Sequence, residues 1–247
     1  MKKFETDEIR NILLTGHQSC GKTMLGEALL FNAGVTNRMG KIEDGNTILD
    51  SSPDEIERKI SINASLASFE HGKCKINLLD TPGYEDFVGE LASCIEVVES
   101  AVVVVSADSG IEVGTEKNWR MLEKKRLPRI VCVNRMDKEH ADFEKCLSDA
   151  QQYLGAKVMP LMFPIGEGES FKGIVDLLRK KAYVYSAPGK FTVEDVPADM
   201  TDRVNEARQS LMDFAAEADD SLLEKFLEGG ELNDEELSRG VAAGCRA

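Results

Sequence analysis

NILLTGHQSCGKTMLGEALLFNAG, residues 11–34, passes from one periodicity to another through a short loop. NILLTG is the kind of apolar run that forms a buried strand, and residues 21–34 carry helical spacing that stops at Gly34. Between them stands Gly16-His17-Gln18-Ser19-Cys20-Gly21-Lys22-Thr23, a G-x-x-x-x-G-K-T pattern. Set between a strand and a helix, it reads as a phosphate-binding loop. Backbone N–H groups of the loop and helix start would surround a β-phosphate. Lys22 would neutralise the β and γ oxygens, and the Thr23 hydroxyl would bind Mg2+.

Strand and helix signals alternate onward from this loop. KCKINLLD (73–80) reads as a strand, paired through a His71-Gly72 turn with SINASLASFE (61–70). AVVVVSAD (101–108), a helix around Lys117 to Lys125, PRIVCVN (128–134) and a helix from about Ala141 to Tyr153 follow. Continuous Val and Ile runs between helices predict an α/β fold, a mostly parallel sheet with helices on both faces. Residues 36–60 show no periodicity and read as a long polar loop. From about Met159 the composition turns to short strands and turns, then to an acidic helical segment from about Asp199 to Leu237. The expected organisation is a core over residues 1–157 and an added α+β lobe over 158–247.

The 30 Lys and Arg against 44 Asp and Glu give a net charge of −14, and residues 194–236 hold fifteen acidic against three basic side chains. This balance argues against a basic nucleic-acid-binding domain and reads as a solvated acidic helical face, with a partner-docking surface as the alternative. The six cysteines form no CxxC pair, and only three histidines accompany them, so most read as buried small hydrophobes in a reducing compartment. MKKFETDEIR at the N-terminus has no apolar h-region, and no run approaches the ~20 apolar residues of a membrane span. A cytoplasmic protein with no membrane partner is expected.

Two further motifs depend on the phosphate loop for their meaning. Asp80, at the end of its strand, is placed to hold Mg2+ through water, and Gly83 can bring its N–H to a γ-phosphate because it has no Cβ. Asp80-Thr81-Pro82-Gly83 therefore joins the phosphate-binding set. Asn134-Arg135-Met136-Asp137 follows a strand at its carboxyl end, where open α/β sheets bind ligands. An Asp carboxylate there accepts both N1–H and N2–H of guanine, a pair adenine does not offer. The Asn amide can donate to the base and brace the phosphate loop, while Arg135 can cover the base face. GTP or GDP with Mg2+ is the ligand these motifs imply together. A generic P-loop ATPase is the cruder alternative.

In this order the motifs resemble the translational GTPases, most closely the bacterial elongation factor G family, over about residues 8 to 244. GKIEDGNTILDSSPDEIERKISI (40–62) resembles that family's switch I, and PIGEGESFKGIVDLL (164–178) resembles the start of its inserted G′ subdomain. The resemblance implies a P-loop GTPase core with a G′ insertion. Its final core strand and helix, and the later factor domains, are expected to lie beyond Ala247. It also implies a Mg2+ ligand at Ser61 in place of the family's Thr, hydrolysis of GTP on the ribosome, ribosomal RNA completing the site, a stalk protein facing the acidic lobe, and a monomer. The release-factor and ribosomal-protection GTPases are related alternatives.

Departures from the family cluster at the γ-phosphate. Tyr84 stands where the family has the His that orients water; a phenol with an ordinary pKa of ~10 can position water but is a poor base. Ser19 and Cys20 replace residues beside a monovalent-cation site, Lys59 replaces a Gly, and Gln18 takes a position that is often apolar. The expectation is a GTPase with Lys22, Gly83 and Tyr84 as the catalytic set. The rival is a GTP-dependent ribosome binder with little or no hydrolysis.

Overall fold

Residues Ile9–Gly16 form strand β1, and Leu13 and Leu14, which point to opposite faces, are both fully buried. A strand covered on both sides needs helices above and below it. In the computed structural model, which describes residues 2–155, 158–187, 189–228 and 232–246, β1 is the middle of a five-stranded sheet. The other strands are β2 (Ser65–His71), β3 (Cys74–Asp80), β4 (Ser100–Ser106) and β5 (Arg129–Asn134), in the order β2-β3-β1-β4-β5. Only β2 runs antiparallel, joined to β3 by the turn at Gly72, where φ is +58°. Helices α1 (Lys22–Asn32), α3 (Val88–Ile95) and α4 (Val113–Lys124) pack on this sheet, and a short α2 (Pro53–Arg58) lies before β2. The mostly parallel α/β sheet expected from the Val and Ile runs is present. Among the described residues no helix is long and apolar enough to cross a membrane.

Residues 36–60 are not wholly irregular. Ser52 accepts the Glu55 N–H while Glu55 accepts the Ser52 N–H, a capping box that starts α2 with Pro53 at its first turn. The S-x-x-E spacing is in the sequence and outweighs the missing apolar period over so short a helix. Strand β2 begins at Ser65, because the Ile62 and Asn63 N–H groups go to the Glu55 carboxylate instead of a neighbouring strand.

The chain divides into two compact units, Met1–Arg135 and Met136–Ala247. The composition boundary after residue 157 falls at residues 156–157, outside the described set, and α5 (Phe143–Tyr153) belongs to the second unit. That unit has an antiparallel sheet of β6 (Met162–Ile165), β7 (Gly173–Asp176), β8 (Lys181–Ala187) and β9 (Lys190–Glu194). Helices α6 (Thr201–Glu217), α7 (Asp220–Leu227) and α8 (Asp234–Gly244) accompany it. Phe163, Val175 and Ala182 of the sheet, with Leu177 from the turn after β7, meet Val204, Leu211, Leu222 and Leu237 of the helices in one buried cluster. The acidic segment is thus three amphipathic helices that bury apolar residues in this cluster, although Leu223 and Leu227 of α7 stay exposed.

Candidate functional site

The loop from β1 into α1 is shaped by two glycines that no other residue replaces easily. At Gly16, φ is +145° and a Cβ would lie 2.2 Å from the Val104 carbonyl oxygen of β4. At Gly21, which caps α1, φ is +93° and a Cβ would meet the Asn134 amide nitrogen at 2.5 Å. That amide donates to the Cys20 carbonyl at 3.0 Å, tying the end of β5 to the loop. Asn118 of α4, which the sequence reading passed over, donates to the Thr15 hydroxyl at 3.1 Å and the Gly16 carbonyl at 3.4 Å.

Lys22 is buried, and its ammonium donates to the His17 carbonyl at 2.8 Å, the Gly16 carbonyl at 3.3 Å and the Cys20 sulfur at 3.7 Å. The hydrogen bonds of this ammonium all go to neutral acceptors, while its charge also acts on the Asp80 and Asp50 carboxyls nearby. A buried cation without a direct ion pair favours an anionic ligand. Burial pushes the Cys20 thiol up despite the lysine, so Cys20 acts as a small apolar filler.

One residue further along α1, the Thr23 hydroxyl donates to Asp80 Oδ2 at 2.7 Å and lies 3.1 Å from the Ser61 hydroxyl. The register of β3 on β1 sets Asp80 opposite Leu14, two residues before Gly16, which brings the carboxylate under the loop. Thr23, Ser61 and Asp80, far apart in sequence, therefore converge. Asp50 joins them unforeseen: it is buried, lies close enough to Ser61 for that hydroxyl to lower its pKa, and its charge raises the pKa of Asp80. Its Oδ2 and the Oδ1 of Asp80 are buried without hydrogen-bond partners. Burial raises the pKa of both carboxyls, that of Asp80 to about 7. Hydroxyls and orphaned carboxylate oxygens gathered in one cluster match the hard oxygen donors of Mg2+. Among the described residues no group of three or more His, Cys, Asp and Glu could hold a metal, so a cation here would depend on this mixed set.

The Asp80–Gly83 run divides its tasks. Thr81 sends both its N–H and its hydroxyl to the Leu14 carbonyl, at 3.2 and 2.8 Å, so it fastens the loop to β1 and has no donor left for a phosphate. Pro82 is buried beside it. Gly83 sits against the phosphate loop, where a Cβ would lie 2.5 Å from the Lys22 ammonium and 2.8 Å from the Gln18 nitrogen. Tyr84 precedes a short 3-10 turn, Glu85–Phe87, and lines a cleft of about 160 Å3 with Pro82, Gly83, Leu91, Gly114, Lys117 and Asn118 among others. His17, Gln18 and Ser19 line a second cleft, of about 150 Å3, with Ser106, Ser109, Glu112 and Arg135. Tyr84 thus shares a cleft with Pro82, Gly83 and residues of α4, while His17, Gln18 and Ser19 line the other one.

Asn134 and Arg135 close the first unit. Arg135 has a left-handed backbone, φ +62°, and its Nε would lie 3.6 Å from a Cβ on Gly21, which sets the guanidinium beside the loop. Met136 and Asp137 open the second unit; Met136 is buried with its carbonyl accepting the Gly168 N–H at 2.8 Å, and Asp137 is exposed.

Residues 7–237 match the family of the elongation factor Tu GTP-binding domain. The chain belongs to that family. It is a translational GTPase domain, and guanine nucleotide binding follows from the family. A solved crystal structure from Thermus thermophilus is similar, at 37% sequence identity and a TM-score of 0.89, covering 96% of this chain and 36% of the other. The chain thus spans about a third of the length of that relative.

Proposed function

We propose that this GTPase domain binds Mg2+-GTP and hydrolyses it as part of an elongation factor G-like factor acting on the ribosome. The observation that carries the reading is the meeting of Thr23, Ser61 and Asp80 one residue from the buried Lys22. Bound Mg2+ would be held by the Thr23 and Ser61 hydroxyls and, through water, by Asp80, and would neutralise charge between the β- and γ-phosphates. Lys22 would turn from the loop carbonyls to the phosphate oxygens. The N–H of Gly83 would reach the γ-phosphate from the far side, a position its lack of a Cβ supports. In-line attack by water then requires only positioning and electrostatic stabilisation from these groups. Tyr84 would orient that water after its segment moves from the α4 cleft. Asn134, Arg135, Met136 and Asp137 would read guanine, with Asp137 accepting N1–H and N2–H. Ribosomal RNA would complete the site, the acidic helices would face the stalk protein, and the factor would work as a cytoplasmic monomer.

One observation favours a second reading, a GTP-dependent binder with little hydrolysis: Tyr84 lines the α4 cleft with Gly114, Lys117 and Asn118. Phosphate release from GTP by the full-length protein, with and without ribosomes, separates the two. Strong ribosome stimulation supports the GTPase; tight GTP binding without turnover supports the binder. Asp137→Asn tests the base assignment. It should shift preference from guanine to xanthine, and unchanged guanine preference would contradict it.

A further inference from the structure

Thr47–Asp50 lies within the segment that reads as a loop, yet it is held from three directions. From α1, the Glu27 carboxylate, 1% exposed, accepts the Ile48 N–H at 2.6 Å and the Leu49 N–H at 3.1 Å. From β2, the Ser65 hydroxyl donates to the Leu49 carbonyl. Within the segment, the Thr47 hydroxyl donates to the Asp50 carbonyl at 3.0 Å. Two glycines permit the approach. A Cβ on Gly26 would lie 2.4 Å from Leu49 Cδ1, and one on Gly40 would lie 2.5 Å from Glu27 Oε2 and 2.8 Å from the Thr47 Cα.

A buried carboxylate is tolerated when N–H groups fill its lone pairs, and here those donors are main chain of a segment more than twenty residues away. Thr23 and Glu27 are four apart on α1 and so share one face of the helix. Thr23 faces the hydroxyl and carboxylate cluster, Glu27 holds Ile48 and Leu49, and the next residue is the buried Asp50, close enough to Ser61 for that hydroxyl to lower its pKa. The spacing along α1 therefore sets where Asp50 can stand relative to Thr23.

We infer that Glu27 is a positioning residue that docks residues 47–50 on α1, so that Asp50 is in place at the Thr23–Ser61–Asp80 cluster before nucleotide arrives. The segment between α1 and β2 then has two parts. The part up to Asp50 stays on α1, and the part from Ser51 to Ser61, with α2, responds to nucleotide. The docking stands apart from the GTPase reading; its effect on Mg2+ and the response of residues 51–61 to nucleotide rest on that reading.

Hydrogen exchange on the nucleotide-free chain tests the docking with no ligand present. In the native chain the Ile48 and Leu49 amides should be protected. In Glu27→Ala they should exchange at least roughly tenfold faster, with α1 and β1 amides unchanged, and Glu27→Gln, which keeps one acceptor oxygen, should fall between. Gly40→Ala provides a second route: it displaces Glu27 and Thr47 without removing the carboxylate, and should release the same two amides even if Glu27→Ala fails to fold. Equal exchange at Ile48 and Leu49 in the native chain and Gly40→Ala overturns the proposal. For function, the Mg2+ concentration needed to bind a non-hydrolysable GTP analogue should rise roughly tenfold in Glu27→Gln, while GDP affinity stays within about twofold. Equal weakening of both nucleotides would make Glu27 a packing residue only. Released amides in a chain that binds no guanine nucleotide would leave the docking intact and overturn the GTPase reading instead.

Discussion

The Thr23 hydroxyl donates to one oxygen of Asp80 at 2.7 Å, while the other oxygen of that carboxylate is buried with no partner. Burial dominates this group and lifts its pKa to about 7, against the opposing influence of the Thr23 hydrogen bond and the Lys22 charge. The folded value lies above the ordinary 3.8, so the fold favours the protonated form: its contribution is full below 3.8 and is lost as pH rises through about 7. Asp80→Asn cannot ionise and should flatten the fall in metal-free stability across that window. Mg2+ favours the ionised form, so it should raise the Tm more at about pH 8 than at about pH 6. Thermal unfolding with and without Mg2+ checks both; an equal Mg2+ effect at the two pH values contradicts the assignment.

Lys59 ends α2 with φ +57° and ψ +38°, a left-handed conformation that its Cβ makes unfavourable. Its side chain is exposed, so little packing is lost on removing it. Lys59→Gly should stabilise the chain by about 0.5–1 kcal/mol, less than the full strain because glycine loses more entropy on folding. A raised urea midpoint at unchanged slope is the expected signature; a lowered midpoint would show that the lysine contributes something beyond its backbone.

Gly83→Ala should separate the two nucleotide states. The added methyl would sit 2.5 Å from the Lys22 ammonium and 2.7 Å from the Gln18 Cα, so the loop must retreat from the phosphate side. Affinity for a non-hydrolysable GTP analogue should fall by about tenfold or more, with GDP affected far less, since only the γ-phosphate needs this approach. Equilibrium binding of both nucleotides decides it. Equal losses would place Gly83 away from the γ-phosphate.

The second unit has its own close contact. Gly240 of α8 lets that helix approach α6, and a Cβ there would lie 2.6 Å from the Ala215 Cβ and 2.8 Å from its carbonyl oxygen. Gly240→Ala should cost about 1–3 kcal/mol through overpacking, although alanine is the better helix former. Chemical denaturation of the purified variant measures this, and an unchanged or raised stability would mean the helices separate freely.

The motifs legible in the sequence are short contiguous runs whose chemistry is local. Gly16–Thr23 names a loop by its glycines and its lysine, and the apolar runs around it name strands by their period. Asp80 was legible for a related reason: it ends a strand, and strand ends in such sheets are where ligands bind. Glu27, Asp50 and Asn118 were not legible. Each acts on a partner distant in sequence, and each reads in isolation as an ordinary helix or loop polar residue. Thr81 shows the converse, a motif residue whose donors are both taken by Leu14. Helix α2 lay between these cases, since its capping box was visible while its six residues were too few to show a period.

By itself the sequence determined the α/β class, the phosphate loop and its strand-to-helix setting, because periodicity, glycine positions and turn chemistry act over a few neighbouring residues. Only the tertiary structure decided that Thr23, Ser61, Asp80 and Asp50 meet, that Glu27 holds the Ile48 and Leu49 amides, and that Tyr84 lines a cleft with residues of α4. Those facts depend on the register of β3 against β1 and on how a long loop folds back over α1, and both are settled by burial and hydrogen-bond satisfaction across the whole unit.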